Sequence, residues 1–495
     1  MMNNMKISYI IAMLLFLISC SQSKKQEQPA KEGPYFGNGV HNGWVDQNSI
    51  TIWTRLTQTP EMNWEGQAFI PLTKEEQKEF GKMKDKDFLN RKQIPEGLSL
   101  KDMEGACLGA EGEVKLTYWE ANKPETKVAL DWGQVDVDKH FTKQWKLKNL
   151  SPDTHYVIEM FSRVGEGQNI ADTLRGEFLT PPMAEKTRDI AFSIVSCHDY
   201  IRKDSTTGHK IYPAMDRDNL DFFVHTGDIE YYDKPNPYAM TEELMRFKWD
   251  RLFALPLQRS FYNRTSSYFM KDDHDALKDD AYPEEFYGPV SFERGLEIFD
   301  KEQFPSNSPT YKTVRWGKDL QVWILEGRNY RSKNTDEDGP NKTILSKEQK
   351  EWLFNTIDES DATYKVIITS SPILGPDRPN GKNDNYSNDA FAYEGNEIRE
   401  FINKQENVIV CTGDRHWQYV SHFADSNLWE FGCGAGSDSH AGGWSQDNVK
   451  PEHRFLRVKG GYLFGKVYSD NDRVKLVFEH RDVDGNVMHT EEFVR

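Results

Sequence analysis

Alternating polar and apolar residues characterise the first third of the chain. Residues 49–56 and 114–119 alternate in the way that half-buried strands do. The run that ends at Tyr156 has the arrangement of a tyrosine corner, in which the tyrosine hydroxyl returns to nearby backbone. A charged insert at 73–101 interrupts the pattern and predicts a helix plus a loop. Together these features predict an N-terminal β-sandwich over residues 35–182.

From about residue 187 the pattern changes to continuous apolar runs separated by amphipathic segments. Buried-type strands are predicted at 189–195, 221–225, 320–325, 366–368 and 408–410, and further β-structure at 462–468 and 474–478. Ser346 has the position of a helix cap, and Asp484-Gly485 predicts a hairpin turn before the last strand. Strands that alternate with helices predict an α/β domain over residues 187–495, with its chemistry at the strand ends.

The first twenty residues have the pattern of an export signal rather than of a folded element. A short positive start precedes an apolar run at 7–18 that is too short to span a bilayer permanently. Its ending, Leu17-Ile18-Ser19-Cys20, resembles a bacterial lipobox, which implies a signal peptide at 1–19 and acylation of the Cys20 thiol. An ordinary signal peptide with a chance cysteine is the alternative. Polar residues 20–34 predict a flexible tether.

Residues Ser21 and Gln22 contain no aspartate that would retain a lipoprotein at the inner membrane, so we predict an outer-membrane location through the lipid on Cys20. The leaflet stays open. The 62 basic and 79 acidic residues give a formal charge of −17, and such a surface repels phosphate backbones. Nucleic-acid binding is therefore not expected.

Composition adds two constraints. Hydrophobic residues at 37% and aromatic residues at 13% allow a large core and exclude wholesale disorder. Besides Cys20, the cysteines are Cys107, Cys197, Cys411 and Cys433. They are too few for a disulfide scaffold, and a single disulfide is left open.

Candidate chemistry lies in four segments, most of which follow apolar strands. They are Ser196 to Tyr200, Thr226 to Asp233, Lys271 to Asp275 and Thr412 to Trp417. Each carries metal-ligand residue types. One such segment alone is weak support, because Gly-Asp is common in turns and acidic clusters are usually solvated. Four of them in this order are far more specific.

The set resembles the PhoD-type alkaline phosphatases, a branch of the calcineurin-like metallophosphoesterases, over most of the chain. The resemblance implies a fibronectin-type β-sandwich followed by a four-layer catalytic domain, with two mixed sheets face to face and helices outside. It also implies two or more metal ions, iron plus calcium. Manganese and zinc are alternatives for the second ion.

Three residues carry the implied iron site. The resemblance assigns Asp228 as the carboxylate that bridges two cations, and Cys197 and Tyr231 as thiolate and phenolate ligands. Such softer donors suit a redox-capable transition metal better than magnesium. The alternatives are a buried structural thiol at Cys197, an aromatic wall at Tyr231, and Tyr232 in place of Tyr231.

Two later segments complete the implied ligand set. Asp273 is assigned as a metal ligand, and His274 as the catalytic group that stabilises or protonates the departing oxygen. Asp414 and His416 match the final pair of ligands. An exposed acidic loop is the alternative for the first of these segments.

The chain also departs from the pattern of the family. Lys271 and Asp275 stand where PhoD relatives commonly have tryptophan and glutamate, and residues 369–372 supply no histidine. The ligand count and the identity of the second metal therefore stay open.

Substrate contacts are predicted on two further loops. Arg328 follows a predicted strand, and its guanidinium fork suits two oxygens of a tetrahedral anion, so we assign it a catalytic and substrate-binding role. A structural salt bridge that pins a loop is the alternative. The glycine-rich loop at 432–443 adds Asp438 and His440 as candidate substrate contacts.

These assignments predict hydrolysis by a hydroxide that the two cations hold and activate. The predicted substrates are phosphate monoesters or diesters, either of small molecules or of polysaccharides. The alternative is a sulfatase that uses the same site, although the Cys-x-Pro-x-Arg signature of common sulfatases is absent. A further alternative is a non-catalytic lipoprotein that binds carbohydrate at the cell surface.

Overall fold

A computed structural model describes residues 33–378 and 383–495. The predicted signal peptide at 1–19, Cys20 and nearly all of the tether at 20–34 therefore lie outside the described residues. Within the described ranges, no helix combines the length and the apolar content that crossing a membrane requires.

The N-terminal part contains two antiparallel sheets. Its strands are β1 (Val40–Gly43), β2 (Ser49–Arg55), β3 (Glu113–Glu120), β4 (Val128–Ala129), β5 (Gly133–Gln134), β6 (Thr142–Lys148), β7 (His155–Arg163) and β8 (Asp172–Leu179). One sheet has the order β1-β2-β6, and the other has the order β4-β3-β7-β8 with β5 also paired to β3. Apolar side chains of both sheets, including Ile52 and Leu116, share one hydrophobic core.

The tyrosine-corner contact predicted from the sequence is present. The Tyr156 hydroxyl accepts a hydrogen bond from the backbone N–H of Ser151 at 2.8 Å. The charged insert contains two short helices rather than one, α1 (Lys74–Phe80) and α2 (Lys86–Lys92). Thr73 and Glu76 form a reciprocal capping box that begins α1. The fibronectin-type assignment of the sandwich stays a prediction.

The later part contains two large mixed sheets. The strands are β9 (Ile190–Val195), β10 (Phe222–His225), β11 (Ser267–Phe269), β12 (Phe286–Tyr287), β13 (Val290–Ser291), β14 (Lys312–Trp316), β15 (Leu320–Ile324), β16 (Tyr364–Thr369), β17 (Val408–Thr412), β18 (Gln418–His422), β19 (Trp429–Cys433), β20 (His453–Arg457), β21 (Gly461–Asp470), β22 (Arg473–Asp482) and β23 (Val487–Val494). The first sheet has the order β11-β10-β9-β21-β22-β23, and the second has the order β14-β15-β16-β17-β19-β18-β20.

Every apolar strand predicted for this part is present. Strands β9, β10 and β11 run parallel, whereas β21, β22 and β23 are antiparallel. The parallel strands bring their carboxyl ends to one edge of the sheet, where the predicted ligand segments follow them.

The two sheets pack face to face. The rings of Phe222 and Trp316 stack with centroids 4.5 Å apart, and those of Phe431 and Phe478 approach to 4.6 Å. Strand alternation sends Phe223 to the opposite face, into the core beneath the helices. The protein therefore has the predicted order of helices, sheet, sheet and helices.

Helices cover both outer faces. They are α3 (Ile211–Asp216), α4 (Glu242–Phe253), α5 (Pro256–Tyr262), α6 (Asp273–Ala276), α7 (Phe292–Glu297), α8 (Lys347–Glu359) and α9 (Ala392–Asn403). Residues of α3, α4 and α5 bury apolar side chains beside the first sheet, and residues of α8 and α9 do so beside the second. As predicted, the Ser346 hydroxyl caps α8 by accepting the Gln349 N–H at 3.3 Å.

The N-terminal sheets and the later part share contacts. Gly33–Arg495 form one compact unit, and the Trp53 indole donates a hydrogen bond to the Glu302 carbonyl at 2.8 Å. The division into domains at 35–182 and 187–495 stays a prediction. Cys107, Cys197, Cys411 and Cys433 are all free thiols, so no disulfide joins cysteines of the described residues.

Candidate metal centre

The site begins where β9 and β10 end side by side. Beyond the strands, the Cys197 N–H donates to the Gly227 carbonyl at 3.2 Å, and the His198 N–H donates to the Asp228 carbonyl at 3.0 Å. These bonds extend the parallel ladder into the two loops. They hold Cys197 and Asp228 next to each other.

Three candidate ligands share an uncommon backbone conformation. Cys197, Asp228 and Asp414 have φ values of 48°, 55° and 59°, in the left-handed region that residues other than glycine, asparagine and aspartate seldom adopt. Each one follows a strand of the sheets, namely β9, β10 or β17. Such strain persists where the surrounding structure enforces it, often at functional sites.

A glycine allows two ligand loops to approach. Gly227 has φ of +107°, and a Cβ atom at this position would lie 2.7 Å from the backbone nitrogen of Asp272. A larger residue would therefore separate the β10 loop from the loop that carries Asp272 and Asp273.

The first group of donors surrounds one oxygen of Asp228. The Tyr231 hydroxyl donates to Asp228 Oδ2 at 3.0 Å, and the Cys197 sulfur lies 3.7 Å from the same oxygen. The Tyr231 hydroxyl is also 3.2 Å from His416 Nε2. The structure thus brings together Cys197, Asp228, Tyr231 and His416, as the resemblance implies.

Tyr232, the rival to Tyr231, lies elsewhere. Its hydroxyl accepts a hydrogen bond from the Trp249 indole at 2.6 Å in the core beneath the helices. The register that places Tyr231 in the site is therefore the one in the structure.

A second group of donors lies on the other side of Asp228. Ligand atoms of Asp228, Asp273 and His274 all lie within 4.8 Å of one another, and so do those of Asp228, Asp272 and Asp414. Asp228 belongs to three of the four candidate groups found among the described residues, as a bridging carboxylate would, and the fourth consists of Asp273, Asp279 and Asp280. Asp272 is a candidate ligand that sequence reasoning missed.

Within the described residues, two buried oxygens of these groups have no hydrogen-bond partner, Asp228 Oδ1 and Asp272 Oδ2. Burial raises the pKa of the Asp228 carboxyl well above its ordinary value, against the opposing effect of the His274 cation. Burial also raises the pKa of Asp272 to about 8. Buried acceptors of this kind are unfavourable unless a cation or a donor meets them.

The thiol and the phenol show the same effect. Burial first, and the Asp228 carboxylate second, raise the pKa of Cys197 and of Tyr231 well above their ordinary values. One sulfur, one phenol, one imidazole and several carboxylates converge on a space with unpaired oxygens. This donor set fits a transition metal beside a second, harder cation.

His274 lies against this centre with a carboxylate behind it. Its Nδ1 is 2.7 Å from Asp233 Oδ1, and its ring centroid is 4.1 Å from that of Tyr231. Burial lowers the pKa of His274, but the carboxylates of Asp233 and Asp273 outweigh burial and raise it to about 10. Within the chain itself, these carboxylates therefore favour the protonated form of the His274 ring. Asp233, at the end of a ligand segment, had no assigned role in the sequence reading.

Arg328 is fully buried and faces the aspartates. Its Nε donates to Asp272 Oδ1 at 2.5 Å, and its Nη2 is 3.3 Å from Asp273 Oδ1. Its Nη1 donates to the Ala281 carbonyl at 3.2 Å. These contacts are those of the structural alternative, an arginine that pins a ligand loop. The substrate-binding and catalytic role of Arg328 stays a prediction.

The glycine-rich loop brings one of its two candidates to the site. The His440 ring is 3% exposed, with its centroid 4.4 Å from that of His416 and 5.0 Å from that of Tyr231. Asp438 is exposed, and its carboxylate accepts the Gly460 N–H at 2.9 Å. The described contacts of Asp438 do not reach the ligand groups.

Behind the aspartates lies a layer of charges that the sequence reading did not assign. The Asp275 carboxylate accepts backbone N–H groups from Asp228 at 2.6 Å, Ile229 at 2.8 Å, Glu230 at 3.1 Å and Asp272 at 2.9 Å. One side chain thus fixes two ligand loops at once. Its place at the third position of α6, in a capping box with Asp272, is the sequence signal for this role.

Lys271 ties the same loop to two other elements. Its ammonium lies 2.7 Å from Asp300 Oδ1 and 2.6 Å from Glu326 Oε2, with the side chain 2% exposed. Glu326 in turn accepts the Arg328 N–H at 2.6 Å. The departure from tryptophan at this position is therefore part of a buried ion network.

The two facing mixed sheets carry the candidate ligands at their strand ends. Residues 296–474 match the family model described as PhoD-like phosphatase. This segment contains Asp414 and His416, whereas Cys197 and Asp228 precede it.

The chain is similar to particular proteins of this type. Alkaline phosphatase D of Bacillus subtilis (strain 168) is 24% identical over 367 residues, which cover 60% of this chain and 60% of that protein. The match thus spans about 60% of the length of the curated relative. The predicted resemblance to PhoD-type phosphatases is confirmed.

Solved structures agree on the fold. A structure described as PhoD superposes with a TM-score of 0.69 at 17% identity, covering 94% of this chain and 91% of that one. Purple acid phosphatase PPD1 from yellow lupin (Lupinus luteus) seeds gives a TM-score of 0.58 at 10% identity, covering 93% and 74%. The chain therefore shares the fold of the structure described as PhoD.

Proposed function

We propose that this chain is an exported, metal-dependent hydrolase of phosphate esters. The observation that carries the proposal is the position of Asp228, which shares one centre with Cys197 and His416 on one side and with Asp273 and His274 on the other. Similarity to an alkaline phosphatase D and to PhoD-like phosphatases supports the same reaction class.

Cys197, Tyr231 and His416 would hold iron together with Asp228, because their donors are the softer ones. Asp273, with Asp272 and Asp414 nearby, would hold the second ion, calcium, with manganese or zinc as alternatives. When bound, the ions supply an activated water and positive charge beside the ester.

The chain's own residues control the proton and the surroundings. His274 keeps its Nδ1 on Asp233 at 2.7 Å, so the Nε2 proton is the one available to the departing oxygen. Cys197 and Tyr231 are fully buried, and His274 is 6% exposed. Exclusion of bulk water strengthens each electrostatic contact that develops during the reaction.

We further propose that the protein is a lipoprotein of the outer membrane, anchored by an acyl chain on Cys20, with a fibronectin-type sandwich before its catalytic part. The lipobox-like ending of residues 17–20 supports the anchor. Incorporation of a labelled fatty acid in the wild-type protein but not in Cys20→Ser tests it. Equal labelling of both would contradict the proposal.

The function is tested with the full-length protein in detergent, supplied with iron and calcium. The substrates are a matched aryl phosphate, diaryl phosphate and aryl sulfate, together with a sulfated polysaccharide. We expect phosphate release that Asp228→Asn reduces by at least about 1000-fold, because charge stabilisation worth several kcal/mol depends on this carboxylate. Bound metal is measured on the same samples.

Asp425→Asn is the matched control. Asp425 has φ of 59°, close to the 55° of Asp228, but it is exposed in the loop after β18. The control should keep wild-type activity. Sulfate release alone, lost in Asp228→Asn, would establish the sulfatase alternative. Absence of both metal and hydrolysis would favour the carbohydrate-binding alternative and reject the proposal.

A further inference from the structure

Arg202 lies beside the metal centre, on the loop after β9, and the sequence reading assigned it no role. Its guanidinium carbon is 5.0 Å from the centroid of the Tyr231 ring. The side chain is 26% exposed, whereas Tyr231 is fully buried. Arg202 therefore reaches from the solvent-accessible side to the wall of the centre.

Asp199 fixes the orientation of this guanidinium. Arg202 Nε and Nη2 donate to Asp199 Oδ2 at 2.9 and 2.6 Å, and the Arg202 N–H donates to Asp199 Oδ1 at 2.7 Å. The Asp199 side chain is only 3% exposed. Nη1 has no hydrogen-bond partner in the described part of the chain. One edge of the fork is thus held, and the other edge remains available.

The arginines deeper in the site are closed off from solvent. Arg328 and Arg415 are both fully buried. Arg328 is bound to Asp272, and Arg415 lies 2.5 Å from Asp414 and 2.6 Å from Asp377. Both guanidinium groups neutralise aspartates of the ligand loops, so their charge is already matched.

The backbone of Arg202 also binds the glycine-rich loop at 432–443. Its carbonyl accepts the hydroxyl groups of Ser437 at 2.7 Å and Ser439 at 2.8 Å. The next residue of that loop is His440, whose two ring nitrogens have no hydrogen-bond partner among the described residues. Arg202 and His440 therefore provide polar donors at the edge of the centre.

We propose that Arg202, oriented by Asp199, binds the anionic oxygens of the substrate and makes the site prefer dianionic phosphate monoesters to monoanionic diesters and sulfate esters. The inference rests on the proposed function. The free edge presents N–H groups in the planar spacing that two oxygens of a tetrahedral anion require. The attraction increases with the charge on the anion, which gives the preference its direction.

The test compares full-length wild-type protein with Arg202→Met, Arg202→Lys, Asp199→Asn and the control Lys203→Met. We expect Arg202→Met to lower kcat/KM for an aryl phosphate by on the order of 100-fold, and for the diester and sulfate by less than about 10-fold. Binding of inorganic phosphate, measured by calorimetry, should weaken by a similar 100-fold, about the loss of a charge-assisted hydrogen bond.

Two variants separate binding from folding. Arg202→Lys keeps the charge but not the fork, so it should recover part of the affinity, and Asp199→Asn should raise KM by roughly 10-fold with kcat nearly constant. Lys203 carries the same charge one residue later, but its ammonium donates to the Tyr200 carbonyl at 3.2 Å. Lys203→Met should stay within about twofold of wild type for every substrate.

Unchanged phosphate affinity and unchanged ester preference in a folded Arg202→Met protein would overturn the inference. If Arg202→Met unfolds, the lysine and asparagine variants decide by the same two readouts. Failure of the proposed function looks different. Wild-type protein would then hydrolyse no ester, while phosphate binding that depends on Arg202 would still support an anion site at this position.

Discussion

Two groups of buried charges lie on either side of the same short loop. The ligand cluster in front contains Asp228 and Asp272, each with a buried oxygen that no donor of the described residues meets. The supporting cluster behind consists of Lys271, Asp275, Asp300 and Glu326. Both oxygens of each of its carboxylates have a hydrogen-bond or ion-pair partner. Asp275 alone accepts hydrogen bonds from four backbone N–H groups.

The difference indicates which buried charges are suited to binding a ligand and which ones stabilise the folded chain. A buried carboxylate whose oxygens accept hydrogen bonds from the chain is already stabilised in the folded protein and needs no ligand. A buried carboxylate with an open oxygen destabilises the chain until a cation or substrate arrives. Substitutions in the two clusters should therefore have opposite effects on the metal-free protein.

Lys271→Met should have the largest effect on stability. Removing the ammonium leaves the buried Glu326 and the partly exposed Asp300 without their cation, so the free energy of unfolding should fall by about 3 kcal/mol. Urea unfolding of the metal-free protein measures it. Because the partners form one network, adding Glu326→Gln should cost less than the sum of the single changes. A loss below about 0.5 kcal/mol would mean that the network does not support the fold.

Asp275→Asn should have the next largest effect, on metal affinity. The substituted amide meets backbone N–H groups with its own NH2 group, which disturbs the loops of Asp228 and Asp272. We expect metal affinity to fall by about 10- to 100-fold, as for other residues that orient ligands. Titration of the metal-free protein with iron or calcium provides the measurement, and Asp425→Asn is again the control. Affinity within twofold of wild type would contradict the supporting role.

Asp228→Asn should have the smallest effect on stability, with the opposite sign. Neutralising a buried carboxylate with an open oxygen should raise the free energy of unfolding of the metal-free protein by about 1 kcal/mol. Thermal unfolding without metal, next to Asp275→Asn, measures the difference in sign. Destabilisation by both changes would remove the distinction between the clusters.

The fold was largely predictable because its strands carry strong apolar signals. Residues 189–195 and 221–225 indicated buried strands, and the structure has β9 and β10 there. Periodicity does not show how sheets pack, so the facing of the two sheets came from the resemblance to a family. The insert at 73–101 was harder, because two short capped helices resemble one charged helix in sequence.

The grouping of the candidate ligands was predictable where a candidate follows a strand, as Cys197 and Asp228 do. The resemblance selected Asp273 as a ligand, but reasoning from sequence assigned no role to Asp272 or Asp275, which carry the same carboxylate. Asp272 caps α6 in extended backbone and turns toward Asp228, while Asp275 lies one turn later and faces backbone N–H groups. Only the three-dimensional direction of each side chain separates these roles.

The arginines show the same limit. Arg328 follows a strand, as the sequence predicts, but its side chain is fully buried and paired with two carboxylates. Arg202 lies in no predicted ligand position. Its proposed role in binding substrate depends on its exposure and on the edge of its guanidinium that Asp199 does not hold, and a sequence displays neither.

The three left-handed ligand positions also bear on the evolutionary history of the protein. Cys197, Asp228 and Asp414 have φ values of 48–59°, which glycine or asparagine would adopt with less strain. Aspartate tolerates this region, as the exposed Asp425 shows at φ of 59°, so selection for folding alone would favour replacement most strongly at Cys197, where selection for chemistry opposes it. A descendant with glycine or asparagine at all three positions would keep a stable fold but would lack three candidate metal ligands.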